Sequence, residues 1–154
     1  MLPDMNRTDF LNLLALPGKR IDQDLIFDDV PTKAPNRVLR SVEVFNTGGV
    51  KVRLEGHYSP AQDSVTFVFV CPEAGGPICR VDVRGTNHKA QGRTHKHDLQ
   101  RESDPRNNLP TAVARPDLEA LDPGQIWADL CTRAGIQHTG QFVDPRVRQL
   151  PIHE

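Results

Sequence analysis

Residues 64–84 read S-V-T-F-V-F-V-C-P-E-A-G-G-P-I-C-R-V-D-V-R and carry the clearest structural pattern in the chain. The first eight residues, Ser64–Cys71, are apolar enough to predict the central strand of a sheet. After the turn-forming residues Pro72–Pro77, apolar and polar residues alternate from Ile78 to Arg84, which predicts a second strand with one polar face. Cys79, Val81 and Val83 are expected on the apolar face, and Arg80, Asp82 and Arg84 on the polar face.

The sequence before this segment predicts a β-hairpin. Val38–Phe45 and Val50–Glu55 both alternate with a period of two, and Thr47-Gly48-Gly49 between them predicts a tight turn. Val38, Val42 and Val44 are expected to share one face of the hairpin.

Two further segments lie closer to the N-terminus. Thr8 is a predicted N-cap for a short helix with apolar residues from Phe10 to Leu14, which ends before Pro17-Gly18. Residues 17–37 contain acids and two prolines and are predicted to form an extended arm, with one short strand at Leu25–Phe27.

The sequence after residue 84 predicts one more strand, a long loop and a helix. Thr94–Leu99 is the candidate fifth strand, and residues 100–116 lack periodicity and are predicted to form the loop. Asp122-Pro123 is typical of a helix start, and the apolar stripe that follows ends at Gly135. Residues 146–154 show no packing pattern and are predicted to be a loose tail.

Together these segments predict one α+β domain over residues 1–154. We expect an antiparallel meander of four to five strands, with an N-terminal helix and a C-terminal helix packed on one face. The length of 154 residues suits a single core, while the 13 prolines and 11 glycines indicate many turns and loops.

Charge and cysteine content narrow the function classes. The net charge is −1, but residues 79–115 hold eight Lys or Arg and four acids, a local charge of +4. A basic segment on an acidic body favours a local anionic ligand such as phosphate over duplex DNA. The three cysteines form an odd set without C-x-x-C spacing, which favours free thiols and a reducing, cytoplasmic location. No apolar run reaches membrane-spanning length, so no membrane partner is expected.

The candidate functional site lies in Arg80–Asp98, which holds three of the six histidines, His88, His95 and His97. His95 and His97 are one residue apart, so on a strand both imidazoles project from the same face. The catalytic acid and base are expected among His88, His95 and His97. Asp82 is expected to orient an imidazole. The cations expected to bind phosphate are Arg80, Arg84 and Arg93. In this first interpretation the protein is a small endoribonuclease that needs no cofactor and acts on RNA.

A second interpretation uses the same histidines to bind a divalent metal ion such as zinc. His95-x-His97 followed by Glu102 has the H-x-H-x4-E spacing of the first cupin motif, but the second cupin motif is absent. A metal site made from His88, His95 and His97, with Glu102 as a further ligand, therefore remains open beside the ribonuclease interpretation.

The order Arg80, Asp82, Gly85, His88, Gly92, His95, His97 resembles a pattern in small bacterial proteins, the TumE-like putative toxins and related prophage proteins. The resemblance covers about twenty residues. It implies a toxin-like or effector protein of a toxin–antitoxin pair or prophage, with RNA cleavage as the expected activity. A third interpretation is a non-catalytic binding protein whose basic loop docks on a protein partner, an antitoxin or a host target.

Overall fold

The computed structural model describes residues 6–85, 92–97 and 112–147. These residues form an α+β fold in which a mostly antiparallel sheet carries one helix from each end of the chain on its apolar face. The elements in chain order are α1 Arg7–Leu14, β1 Arg20–Ile21, β2 Phe27–Asp29, β3 Arg37–Leu39, β4 Val42–Val44, β5 Val52–Ser59, β6 Ser64–Cys71, β7 Gly76–Val83, β8 His95–His97, β9 Ala112–Ala114, α2 Pro123–Ala134 and β10 Gln137–His138. The predicted fold class is therefore confirmed.

The main sheet has eight strands among the described residues, more than the four or five predicted. The strand order is β2-β3-β5-β6-β7-β8-β9, with β4 also paired to β5. Two of the additional strands, β2 and β9, come from the predicted arm at 17–37 and the predicted loop at 100–116, and the third arises because the predicted strand Val38–Phe45 is divided into β3 and β4. Each of these strands is three residues long. Such short strands leave no periodic pattern in a sequence, because one or two alternations are indistinguishable from chance.

The prediction for Ser64–Cys71 is confirmed in full. It is β6, it lies in the middle of the sheet, and it pairs with β5 on one side and β7 on the other. Gly56 of β5 allows close pairing here, because a Cβ at this position would lie 2.5 Å from the carbonyl oxygen of Thr66.

The prediction for Val38–Phe45 is partly wrong. The hairpin of β4 and β5 forms as expected, with Val44 opposite Val52. The segment is nevertheless two strands, because the chain breaks at Arg40–Ser41 and β3 pairs with the far end of β5, Val38 opposite His57. Leu39 rather than Val38 is therefore buried on the apolar face.

Both helices lie where the sequence predicts them. Asn6, and not Thr8, caps α1, because the side chain of Asn6 accepts from the backbone N–H of Asp9 while Asp9 accepts in return. The prediction for α2 is confirmed: Asp122 is the N-cap, Pro123 is the first helical residue, and Gly135 ends the helix with φ of +65°. Among the described residues neither helix is long and apolar enough to cross a membrane.

An aromatic cluster joins the sheet to its covering layer. The ring of Phe67 on β6 lies 5.4 Å from Trp127 on α2, measured between centroids, and 6.5 Å from Phe142. Phe142 follows β10 in the segment that bridges to Leu25, so the C-terminal part of the chain closes the core. The sequence did not predict that contribution, since Phe142 stands alone among polar residues. Of the predicted loose tail at 146–154, residues 148–154 lie outside the described residues.

Candidate metal centre on the polar face of the sheet

Asp82 is the centre of a polar cluster on the face of the sheet opposite α2. Its Oδ1 accepts a hydrogen bond of 2.8 Å from the hydroxyl of Thr66. Its Oδ2 lies 3.0 Å from Nε of Arg80 and 3.3 Å from Nε2 of His95. The carboxylate is 14% exposed, so most of its surface contacts protein groups.

His95 and His97 lie beside Asp82 on the adjacent strand. The register pairs Asp82 with His95 and Arg80 with His97, and directly paired residues of antiparallel strands project from the same face. Nε2 of His97 lies 3.8 Å from Oδ2 of Asp82, and the two imidazole centroids are 4.8 Å apart. His95 is 0% and His97 3% exposed, which is uncommon for two histidines on one short strand.

The three side chains converge on one point. One ligand atom from each of Asp82, His95 and His97 can be chosen so that all three lie within 4.8 Å of one another. The predicted convergence of His95 and His97 is therefore observed, with Asp82 as the third member of the cluster. His88 and Glu102, which the sequence also predicts as ligands, lie outside the described residues.

A hydrogen bond on the far side of the ring sets the tautomer of His95. Its Nδ1 lies 3.1 Å from the carbonyl oxygen of Gly92. Because a carbonyl oxygen only accepts, Nδ1 donates to it, and Nε2 on the other side of the ring faces the carboxylate of Asp82 at 3.3 Å.

The alternation of β7 and β8 explains why these groups share one face. Val81 and Val83 project into the core, so Arg80 and Asp82 project to the opposite side. On β8 the same alternation separates His95 and His97 from Lys96. The next strand places Ala114 opposite His95 and Ala112 opposite His97.

The predicted phosphate-binding arginines separate into different environments. Arg80 contacts Asp82 in the cluster and its side chain is 38% exposed. Arg84 donates from Nε to the carbonyl oxygen of Asp63 and from Nη1 to the carbonyl oxygens of Glu119 and Leu121. Those bonds tie the end of β7 to the turn after β5 and to the segment before α2, so Arg84 supports the fold.

Arg93 forms a salt bridge of 2.8 Å with Glu119, and both side chains are about half exposed. Glu119 also accepts a hydrogen bond from the hydroxyl of Thr94. These two contacts with Arg93 and Thr94 are the main reasons that the pKa of the Glu119 carboxyl is lowered. The salt bridge fixes the loop before β8 and does not bring Arg93 to Asp82.

Two histidines outside the predicted site, His57 and His138, also lie among the described residues. His57 is opposite Thr66, which is opposite Asp82, so it lies on the polar face two strands from Asp82. His57 is exposed, yet its pKa is lowered, and the largest cause is partial desolvation of the ring. The positive charge of Arg80 also lowers this pKa, whereas the negative charge of Asp82 raises it. This lowered pKa favours the neutral form of the ring.

His138 accepts a hydrogen bond of 3.0 Å from the indole N–H of Trp127, and its Nε2 lies 2.8 Å from the carbonyl oxygen of Gln23. It therefore connects β10 to α2 and to the segment that follows β1, a role that its sequence context did not predict.

No protein-family model, curated protein or solved structure matches the chain. The resemblance to TumE-like toxins therefore stays a prediction from about twenty residues, and the functional argument rests on the geometry of the cluster.

Proposed function

We propose that the protein binds a divalent transition-metal ion through Asp82, His95 and His97. The observation that supports this is the convergence of two imidazoles and one carboxylate within 4.8 Å. Imidazole and carboxylate donors suit zinc and iron(II), and two histidines with one carboxylate are a recurrent three-ligand set.

The surroundings of the three side chains support the same proposal. Metal-bound histidines commonly donate their other ring N–H to a carbonyl group, as Nδ1 of His95 does to Gly92. Metal-bound carboxylates are commonly held by a hydrogen bond, as Thr66 holds Asp82. Both rings are almost fully buried, so they are placed to hold an ion rather than to contact a substrate directly.

Three protein ligands leave coordination positions for water and substrate, which is the arrangement of catalytic rather than structural metal sites. Arg80 lies next to the cluster and could bind an anion held by the metal ion. We therefore propose metal-dependent hydrolysis of a phosphoester as the reaction, with a water molecule as the nucleophile. RNA remains the substrate that the sequence predicts, and the three free cysteines support a reducing, cytoplasmic location.

The first experiment measures metal binding by protein purified without a histidine tag. Equilibrium dialysis against zinc, followed by elemental analysis, should give about one ion per chain. Asp82→Asn keeps the shape of the side chain and should weaken binding by at least about tenfold. His57→Ala is the matched control, because His57 lies on the same face outside the cluster, and it should bind zinc like the unchanged protein.

Failure of the unchanged protein to bind zinc, iron(II) or manganese at millimolar concentrations would refute the proposal. Equal affinity in Asp82→Asn would refute the assignment of the site. Cleavage of RNA that continues in EDTA would instead support the metal-independent ribonuclease predicted from the sequence. Metal binding without hydrolysis of RNA or of bis-p-nitrophenyl phosphate would remove the proposed reaction and leave the metal site.

A further inference from the structure

A second site lies on the other face of the sheet, between α1, α2 and strands β4 to β8. It is a cavity of about 110 Å³. Its apolar walls include Phe10 and Leu13 of α1, Phe69 of β6 and Leu130 of α2. Leu14 and Arg133 also line it, and because Leu14 is 40% exposed and the Arg133 side chain 58% exposed, the cavity reaches the surface.

The charged residues of this cavity are all of one sign. Among the described residues that line it, four are cations, Lys19, Lys96, Arg115 and Arg133, and none is an acid. Arg115 and Arg133 are balanced by Asp117 and Asp129 outside the lining. Lys19 differs from these two arginines because it has no such carboxylate among the described residues.

Lys19 is a buried cation without a carboxylate beside it. The residue is 9% exposed, and its ammonium group donates to the carbonyl oxygen of Leu14, a neutral group. In the described part of the chain Lys19 forms no salt bridge. Burial lowers the pKa of Lys19, since desolvation penalises the charged form. A cation in this environment is destabilising unless an anion accompanies it.

We propose that this cavity binds a small amphipathic carboxylate, with the carboxylate beside Lys19 and an apolar body between α1 and the sheet. The cavity is somewhat smaller than the roughly 150 Å³ of an apolar cavity known to hold benzene, but it is open to the surface, so an aromatic ring or a chain of about six carbons need not fit inside it entirely. This site does not depend on the metal centre, because its lining includes neither Asp82 nor the two histidines.

The experiment compares a charged and a neutral ligand of the same shape. Binding is measured by ¹H–¹⁵N NMR titration with two carboxylates. Benzoate tests an aromatic body and hexanoate an aliphatic one. Benzyl alcohol is the uncharged analogue of benzoate. At least one carboxylate should shift amide resonances of α1, α2 and β8 in a saturable way. It should bind about tenfold more tightly than benzyl alcohol.

Lys19→Met removes the charge and keeps an unbranched side chain. Affinity for the carboxylate should fall about tenfold, to that of the alcohol, while affinity for the alcohol stays unchanged. Lys51→Met is the matched control, since Lys51 is exposed and does not line this cavity. Ala134→Leu, which narrows the cavity, should weaken all three ligands.

Three results would overturn the proposal. No saturable shifts at 10 millimolar ligand would refute the site itself. Equal affinity for the carboxylates and the alcohol would refute the role of the charge. An unchanged preference for the carboxylate in Lys19→Met would refute the assignment to Lys19.

Discussion

The two faces of strands β6 to β8 are made by alternate residues of the same segments, yet they differ in what holds them together. On the covered face Phe67, Val81 and Val83 pack beneath α2 and are almost fully buried. On the other face Thr66, Asp82 and His95 are also largely buried, but their contacts are hydrogen bonds and ion pairs. Packed apolar groups stabilise a fold by themselves, whereas a buried polar cluster stabilises it only when its charges and hydrogen bonds are satisfied. The covered face therefore supplies most of the packing that stabilises the domain, and the polar face carries the proposed metal site.

The largest expected effect tests the covered face. Phe67 is 0% exposed and contacts Phe27, Trp127 and Phe142. Phe67→Ala should lower the free energy of unfolding by about 4 kcal/mol, because it leaves a cavity among these rings. The neighbouring residue Val68 lies on the opposite face and is half-buried. Val68→Ala should cost only about 1 kcal/mol in urea denaturation. Similar losses for both variants would contradict the division of roles between the faces.

The second effect tests the polar face. Zinc at one hundred times its dissociation constant should raise the free energy of unfolding by about 2.7 kcal/mol, if the unfolded chain does not bind it. The same zinc concentration should leave the stability of Asp82→Asn nearly unchanged. Both proteins are compared by thermal denaturation with and without zinc. An equal stabilisation of both proteins would place zinc elsewhere in the chain.

A third prediction concerns Lys19, a buried lysine on the covered face. The pKa of Lys19 is lowered by burial, so the unfolded chain binds more protons than the folded one between that pKa and 10.5. Stability of the unchanged protein should therefore rise with pH in this window. Lys19→Met should stabilise the ligand-free protein by about 1 kcal/mol at pH 7, and this gain should shrink toward pH 10.5. The pH dependence is measured by urea denaturation, with Lys51→Met as the reference, and a gain that is constant with pH would contradict the burial argument.

The smallest effect is spectroscopic. Tyr58 is the only tyrosine, and desolvation together with its hydrogen bond to Asp63 raises its pKa to about 12. The neutral phenol therefore contributes stability that is complete below pH 10 and is lost as the pH rises toward 12. Absorbance at 295 nm should titrate near pH 12, and in Asp63→Asn at a lower pH. A midpoint near 10 while the circular dichroism is still native would show that the phenol is solvated.

The regular parts of the fold could be predicted because their residues alternate over several positions. Ser64–Cys71 and the segment from Ile78 to Val83 each contain three or more alternations or a continuous apolar run, and both were placed correctly. The short strands β1, β9 and β10 were not predicted, and β2 was predicted at Leu25–Phe27 but forms at Phe27–Asp29, because long-range pairing rather than local sequence holds such short strands in place. Phe142 belongs to the core for the same reason, since its neighbours in the fold are distant in sequence.

The sequence was sufficient to predict which residues of the candidate site share one face of the sheet. Alternation places Arg80, Asp82, His95 and His97 together, and the register of β7 and β8 confirms that arrangement. The position of Arg84 was not predictable, because the chain leaves the strand there with φ of +57° and its guanidinium turns to backbone carbonyls. The burial of the two imidazoles depends on packing that a single sequence does not display.

Strand β8 is only three residues long, and it belongs to both sites. Its first and third residues, His95 and His97, face Asp82, while Lys96 between them lines the cavity beside Lys19. A displacement of this strand by a ligand in the cavity would move both imidazoles together, because no residue of β8 lies outside one site or the other. Thermodynamic linkage then requires reciprocity: the factor by which a carboxylate changes the affinity for metal is the factor by which metal changes the affinity for the carboxylate.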